Sequence, residues 1–132
     1  MSKCVVDTDV VSFLFKQAPE AQLYLPHLTG NLRVVSFMTV AELDRWALTR
    51  NWGAARNSQM ETHLRQFVID PFDRTLCRVW AQVVDSVQRQ GRTIHTADAW
   101  IAATALLHDI PLMTHNRKDY EFVPDLKLIS ES

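Results

Sequence analysis

The sequence is poor in the residues that break chains into turns and linkers. Only three glycines and five prolines occur among its 132 residues. We therefore expect short loops and no flexible linker between domains. The length suits one domain, because domains commonly contain about 100–150 residues. We predict a single domain over residues 1–132.

Cysteines and long apolar runs are also scarce. Cys4 and Cys77 are the only cysteines, and both lie in apolar segments far apart in the chain. This predicts reduced core residues of a cytoplasmic protein rather than a disulfide or a metal pair. No apolar run approaches the roughly 20 residues that span a bilayer. No signal peptide is visible, so we expect no membrane association.

The chain has no large excess of either charge. Fourteen Lys and Arg residues against fifteen Asp and Glu residues give a formal net charge of −1. A large nucleic-acid-binding surface usually makes a domain strongly basic, so this balance argues against that class. It is compatible with an enzyme that holds a short stretch of RNA through a local basic patch.

What the sequence does contain is an alternation of short apolar segments with helical patterns. Leu76, Val79, Val83 and Val87, for example, recur at the spacing of a core-facing helix that starts at Asp73. Alternating strands and helices predict an α/β fold, with a parallel sheet covered on both faces. Five segments are predicted strands: residues 3–6, 32–37, 68–69, 110–113 and 126–129.

The first predicted strand ends on an acid, Asp7, and a helical pattern follows at once. In open α/β sheets, ligands bind at the carboxyl ends of the strands. A carboxylate against an apolar strand is unfavourable unless a partner, such as a divalent cation, compensates it. The alternative is that Asp7 and Asp9 only cap the helix.

Two further acids lie at predicted helix starts. Glu42 ends the segment Thr39-Val40-Ala41-Glu42, which matches a capping box and so has a structural alternative. Asp98 falls in the first turn of a helix for which Thr96 is the predicted N-cap. Its neighbours at helical spacing are apolar: Ile101, Ala102 and Ala105. An inward-facing carboxylate there needs a hydrogen-bonding partner or a cation.

Asn116 and Asp119 follow the strand that contains Leu112 and Met113, so they are expected at the same sheet edge as Asp7. Together these side chains form a set of hard oxygen ligands. Such ligands suit Mg²⁺, with Mn²⁺ as a substitute, rather than Zn²⁺. The five histidines are scattered and show no zinc-site spacing.

The order of these motifs resembles the PIN-domain proteins, and more narrowly the VapC-type toxins of bacterial toxin–antitoxin pairs. The resemblance spans nearly the whole chain. The matching segments are Val5-Val6-Asp7-Thr8-Asp9-Val10, Thr39-Val40-Ala41-Glu42-Leu43, Thr96-Ala97-Asp98-Ala99-Trp100-Ile101-Ala102-Ala103-Thr104-Ala105, Pro111-Leu112-Met113-Thr114-His115-Asn116 and Asp119-Tyr120.

The resemblance implies a three-layer α/β/α fold around five parallel strands, and a Mg²⁺-dependent endoribonuclease. By position, Asp7, Glu42 and Asp98 match the family's three central acids. Asp7 and Asp98 would hold the ion, and Glu42 would position or deprotonate the attacking water. Many members have a fourth acid where this chain has Asn116, so either Asn116 or Asp119 would fill that place.

The resemblance also implies supporting groups and partners. Thr8 and Thr114 could hydrogen-bond the acids or the scissile phosphate, and an antitoxin would bind a groove near Trp46 and Trp52. We expect a homodimer. The candidate contacts to RNA phosphates are Lys16, Arg45, Arg92, Arg117 and Lys118.

Two other functions remain open at the level of sequence. Val6-Asp7-Thr8-Asp9 resembles the start of haloacid-dehalogenase-type phosphatases, in which Asp7 would be a nucleophile, although the chain is short for that fold. A non-catalytic PIN-like module that binds RNA or protein would use the same acids only as helix caps. Mg²⁺ binding at Asp7 and Asp98 would distinguish the enzyme from the module.

Overall fold

A computed structural model describes residues 2–132. Its strands are β1 (Ser2–Val6), β2 (Asn31–Ser36), β3 (Val68–Asp70), β4 (Leu112–Met113) and β5 (Leu128–Ile129). All pair in parallel, in the order β3-β2-β1-β4-β5. The helices are α1 (Thr8–Lys16), α2 (Ala21–Leu28), α3 (Phe37–Thr49), α4 (Ala54–Leu64), α5 (Arg74–Arg89) and α6 (Thr96–His108). The predicted α/β fold with five parallel strands is confirmed.

The centre of the sheet is β1, which lies between β2 and β4. Cys4, Val5 and Val6 are fully buried, because helices cover both faces of the sheet. The sequence of a strand that is buried on both faces is a continuous apolar run rather than an alternation of apolar and polar residues. The residue that follows it, Asp7, is therefore placed at the middle of the sheet's carboxyl edge.

Small residues allow α6 to pack closely on the rest of the core. Ala99, Ile101, Ala102 and Ala105 are fully buried. Asp98 lies on the same side of this helix and is only half-buried. The apolar stripe predicted around Asp98 therefore exists, and it fixes the position of the acid.

The start of α3 differs from the prediction. Its N-cap is Ser36, whose Oγ accepts a hydrogen bond from the backbone N–H of Met38 at 3.0 Å. Because β2 runs into α3 without a loop, the last strand residue is the cap, and Thr39 lies buried in the first helical turn. The capping box that was the structural alternative for Glu42 is therefore not formed, because Ser36 and not Thr39 is the N-cap.

The start of α6 also differs by one residue. His95 is the N-cap and makes no side-chain capping bond, while Thr96 is already helical. Asp98 remains in the first turn as predicted. In the described part of the chain, no helix is both long enough and apolar enough to cross a membrane.

Candidate functional site

Asp7 is the most buried acid of the site, with 5% of its surface exposed. It caps α1, and its Oδ1 accepts a hydrogen bond from the Thr8 N–H at 2.8 Å. Its Oδ2 accepts one from Thr114 Oγ, also at 2.8 Å. Thr114 reaches it because β4 is the direct neighbour of β1. Asp7 is therefore a cap, as the alternative supposed, but a carboxylate also has lone pairs to spare for a further ligand.

Glu42 reaches the same place from the second turn of α3. Its Oε1 accepts a hydrogen bond from Thr8 Oγ at 2.8 Å. The Thr8 oxygen also lies 3.0 Å from the hydroxyl oxygen of Thr39. The Thr8 hydroxyl thus holds Glu42 close to Asp7, because Thr8 directly follows Asp7 in the chain. Thr39 supports this contact and does not cap a helix.

Asp98 comes to the site from the first turn of α6. Its Oδ1 accepts a hydrogen bond from the Tyr120 hydroxyl at 3.1 Å. Burial, with the charges of Asp7 and Asp98, raises the pKa of Tyr120 above its usual value, so its hydroxyl remains a donor. Both carboxylates act on this one hydroxyl, which places Asp7 and Asp98 around it.

The segment after β4 binds Asp9. Asp9 Oδ2 accepts hydrogen bonds from the His115 N–H at 3.0 Å and from the Asn116 side-chain amide at 3.2 Å. Asn116 is therefore brought to the cluster through Asp9. Asp119 lies in a short 3₁₀ helix, Arg117–Asp119, and its charge acts on Asp98. The two candidates for the fourth position thus serve different acids.

The candidate RNA-binding residues separate into two groups. Lys118 lines a cleft of about 240 Å³ together with His95, Asp98 and Asp119. Arg92 stacks on Phe122, another residue of that cleft, with its guanidinium carbon 5.3 Å from the ring centre. Arg117 is exposed in the same 3₁₀ helix as Lys118. The remaining two, Lys16 near the end of α1 and exposed Arg45 in α3, are not among the residues of this cleft.

Burial makes the charged forms of the acids in this cluster unfavourable. Burial, with a smaller contribution from the neighbouring charge of Asp9, raises the pKa of Asp7 to about 7. Burial likewise raises the pKa values of Asp9 and Asp98. Within residues 2–132, no Lys or Arg forms an ion pair with any of these acids or with Glu42. No lysine or arginine of the described residues therefore offsets the charge of these acids directly.

The donor set fits one kind of metal and not another. Residues 2–132 contain no group of three His, Cys, Asp or Glu side chains arranged to hold an ion. A closed zinc-type site is thus absent from this part of the chain. Mg²⁺ needs less, because it usually keeps several waters and binds through one or two carboxylates. The remaining lone pairs of the Asp7 carboxylate and the Oδ2 atom of Asp98 suit that mode.

Two residues of the cluster were not among the predicted site residues. Asp9 had a signal, since it lies two residues after Asp7 in the motif that resembles the family. Tyr120 also had a signal, since it lies in the matching segment Asp119-Tyr120, but nothing in a local pattern says that its hydroxyl reaches α6. The contacts of both residues with the site follow only from the positions of the segment after β4 and of α6 relative to β1.

Comparison with known proteins now decides the family, because residues 4–123 match the family described as PIN domain. The chain belongs to the PIN domain family. It is 29% identical over 126 residues to Ribonuclease VapC1 of Haemophilus influenzae strain R2866, an alignment that covers 93% of each protein. This membership confirms the resemblance seen in the sequence, and it leaves the dehalogenase-type alternative without support.

Solved structures agree with the fold of this PIN domain. The structure of VapBC2 from Rickettsia felis, bound to a DNA fragment from their promoter, aligns with a TM-score of 0.87 and 19% identity, covering 98% and 99% of the two chains. That of VapBC-1 from nontypeable Haemophilus influenzae aligns with a TM-score of 0.77 and 25% identity, covering 97% of each chain. The three-layer α/β/α arrangement is therefore that of known VapBC structures.

The raised pKa of Asp7 predicts how stability depends on pH without metal. A buried acid whose pKa rises from 3.8 to about 7 stabilises the fold fully below pH 3.8, and this contribution is lost as the pH rises to 7. Each pKa unit corresponds to about 1.4 kcal/mol. In EDTA, the free energy of unfolding measured with urea should fall between pH 4 and pH 7 by a few kcal/mol more for wild type than for Asp7→Asn.

The exposed acid Asp44 supplies the control for this experiment. The profile of Asp44→Asn should run parallel to that of wild type, because Asp44 lies on the surface of α3. Parallel profiles for wild type and Asp7→Asn would contradict the raised pKa.

Proposed function

We propose that this PIN domain is a Mg²⁺-dependent endoribonuclease that acts as the toxin of a type II toxin–antitoxin pair. The observation that carries this proposal is the convergence of Asp7, Glu42 and Asp98 at one sheet edge, without an ion-pairing cation among residues 2–132. The alignment with a protein named Ribonuclease VapC1 supports it over most of the chain.

Asp7 and Asp98 would hold the cation, Mg²⁺ or its substitute Mn²⁺, with water completing the coordination. When bound, the ion would lower the pKa of a coordinated water and offset negative charge on the scissile phosphate. Thr114 fixes one oxygen of Asp7, which leaves the carboxylate oriented by the sheet rather than by solvent. The reaction class is hydrolysis of an RNA phosphodiester bond.

Glu42 would position the attacking water or accept its proton. Thr8 donates to one oxygen of Glu42 and leaves the other available. Asn116 would fill the fourth position indirectly, because its side-chain amide donates a hydrogen bond to Asp9. Asp119 would act on Asp98 through its charge alone. Lys118, Arg117 and Arg92 would meet the RNA phosphates near the Asp98 cleft.

The proposed antitoxin surface lies on the α3–α4 hairpin and the end of α1. The rings of Trp46 and Trp52 are 4.9 Å apart, and Phe15 packs on both at 6.5 and 5.5 Å. Leu48 beside them is 78% exposed. An amphipathic helix could bury such a surface. VapBC proteins come from toxin–antitoxin systems, which supports a partner of this kind.

Two further properties belong to the same proposal. We expect the protein in the cytoplasm, where the free thiols of Cys4 and Cys77 would stay reduced. We also expect a homodimer, as the family resemblance implies. A non-catalytic PIN-like binding module remains the alternative, because Asp7 does cap α1.

Asp7→Asn tests the enzyme against the module. Wild type should cleave RNA in Mg²⁺ and not in EDTA, and Mg²⁺ should raise its melting temperature, because only the native state gathers the acids. Asp7→Asn should fold, since asparagine also caps helices, but cleavage should fall below detection. RNA cleavage and thermal melts with and without Mg²⁺ measure both.

The matched control is Asp73→Asn, which changes the capping acid of α5 in the same way. It should cleave at the wild-type rate. If wild type neither cleaves RNA nor gains stability from Mg²⁺, the chain is a binding module. Cleavage by Asp7→Asn at the wild-type rate would remove Asp7 from the metal site.

Glu42→Gln tests the acid–base role. The change keeps the size of the side chain and its contact with Thr8, so the free energy of unfolding should stay near wild type. Turnover should fall by about 10²–10⁴, the usual effect of losing a positioned acid–base group. Single-turnover RNA cleavage and urea unfolding measure these two quantities.

Ser36→Ala is the control for damage to α3. It removes the actual N-cap and should lower the free energy of unfolding by about 1 kcal/mol, with kcat nearly unchanged. Normal turnover by Glu42→Gln would leave Asp7 and Asp98 as the acids that act in the reaction.

Leu48→Glu tests the antitoxin surface. A carboxylate at this exposed position opposes burial under an apolar helix. Binding to the proposed antitoxin, sought as the product of a neighbouring open reading frame, should weaken at least tenfold in a titration, while Mg²⁺-dependent cleavage stays at the wild-type rate. Val68→Glu, on the edge strand β3, is the control and should bind normally. Equal affinity of Leu48→Glu and wild type would place the antitoxin elsewhere.

A further inference from the structure

Three hydroxyl groups each hold one oxygen of a site carboxylate. They are Thr114 on Asp7 at 2.8 Å, Thr8 on Glu42 at 2.8 Å and Tyr120 on Asp98 at 3.1 Å. Thr8 is the first residue of α1, and Thr114 directly follows β4. Tyr120 follows the 3₁₀ helix and reaches across to α6. Its hydroxyl therefore links two segments that the chain itself does not hold together.

Asp98 depends on the Tyr120 hydroxyl more than Asp7 depends on the Thr114 hydroxyl. Asp7 has a backbone donor, Thr8 N–H, in addition to a hydroxyl. For Asp98, the Tyr120 hydroxyl is the one hydrogen-bond donor to its carboxylate that residues 2–132 provide. Asp98 is also half-buried on a helix face with apolar neighbours. Without the hydroxyl, its side chain would be free to rotate about its own bonds.

The Tyr120 ring and its hydroxyl have separate tasks. The residue is 1% exposed, and its ring belongs to the apolar core that includes Leu76, Ile101 and Ala102. A phenylalanine would fill the same volume. The hydroxyl cannot rely on bulk water, because buried polar groups need a partner within the protein. The hydrogen-bonded partner of the hydroxyl is Asp98, one of the two carboxylates that would hold the metal.

We propose that Tyr120 is the positioning residue for Asp98, holding Oδ1 so that Oδ2 is presented to the divalent cation. This inference rests on the proposed function, because it assumes that Asp98 binds Mg²⁺. Groups that orient a metal ligand contribute strongly to metal affinity, and their loss commonly weakens binding by 10- to 100-fold. Tyr120 would act in this way from outside the set of ligands.

Calorimetric titration with Mg²⁺ tests the proposal on the purified full-length chain without RNA. Tyr120→Phe should keep the melting transition of a folded protein and bind Mg²⁺ 10- to 100-fold more weakly than wild type. Asp98→Asn should lose most of the affinity. Thr104→Val removes another buried hydroxyl of α6, one that donates to the Trp100 carbonyl at 2.9 Å, and should bind Mg²⁺ within about twofold of wild type.

A second measurement uses RNA cleavage at increasing Mg²⁺. In Tyr120→Phe the concentration for half-maximal cleavage should rise 10- to 100-fold, while the rate at saturating Mg²⁺ stays within a few-fold of wild type. Damage to the fold would lower that saturating rate instead. In an Asp98→Asn background, the additional change Tyr120→Phe should have no further effect on Mg²⁺ affinity.

The outcomes separate this inference from the proposed function. If wild type binds no Mg²⁺, the proposed function fails and the role of Tyr120 fails with it. If wild type binds Mg²⁺ and Tyr120→Phe binds it equally well, the proposed function stands and the positioning role of Tyr120 is overturned. A further loss of affinity in the double variant would also overturn it, because the hydroxyl would then act independently of Asp98.

Discussion

The structure depends on one constraint, the burial of a carboxylate at the end of the central strand. Asp7 is held where β1 stops, with helices over both faces of the sheet and 5% of its surface exposed. Such a group is tolerated only when hydrogen bonds compensate its lost hydration. Thr8 from α1 and Thr114 from the segment after β4 supply those bonds. The site thus begins as a requirement of the fold.

The other acids are held against their mutual repulsion by the same means. Hydroxyl and amide donors bind one oxygen each on Glu42 and Asp98 and both oxygens of Asp9. No lysine or arginine among residues 2–132 forms an ion pair with them. An arginine would satisfy these carboxylates better, since bidentate pairs are strong. It would also occupy the position of the proposed cation. Neutral donors keep the acids fixed and leave their charge uncompensated.

The same residue can be a structural cap and part of a candidate site. Asp7 does cap α1, so the structural interpretation of that residue is correct as far as it goes. Glu42 shows the opposite outcome, because its motif matches a capping box while Ser36 is the cap. A local motif cannot distinguish these cases, because the helix start depends on where the preceding strand ends. For α3, that point is set by the pairing of Ser36, the last residue of β2, with Asp70 of β3.

The sequence by itself determined the features that depend on local pattern. The apolar run of β1, the alternation of strands and helices and the apolar stripe around Asp98 predicted the parallel α/β fold and most of the acids at its edge. Only the tertiary structure decided which donor holds which acid. Tyr120 is 22 residues from Asp98, and Asn116 is 107 residues from Asp9. Such pairs form because β4 inserts beside β1 and α6 packs over the sheet, and no short-range periodicity records that arrangement.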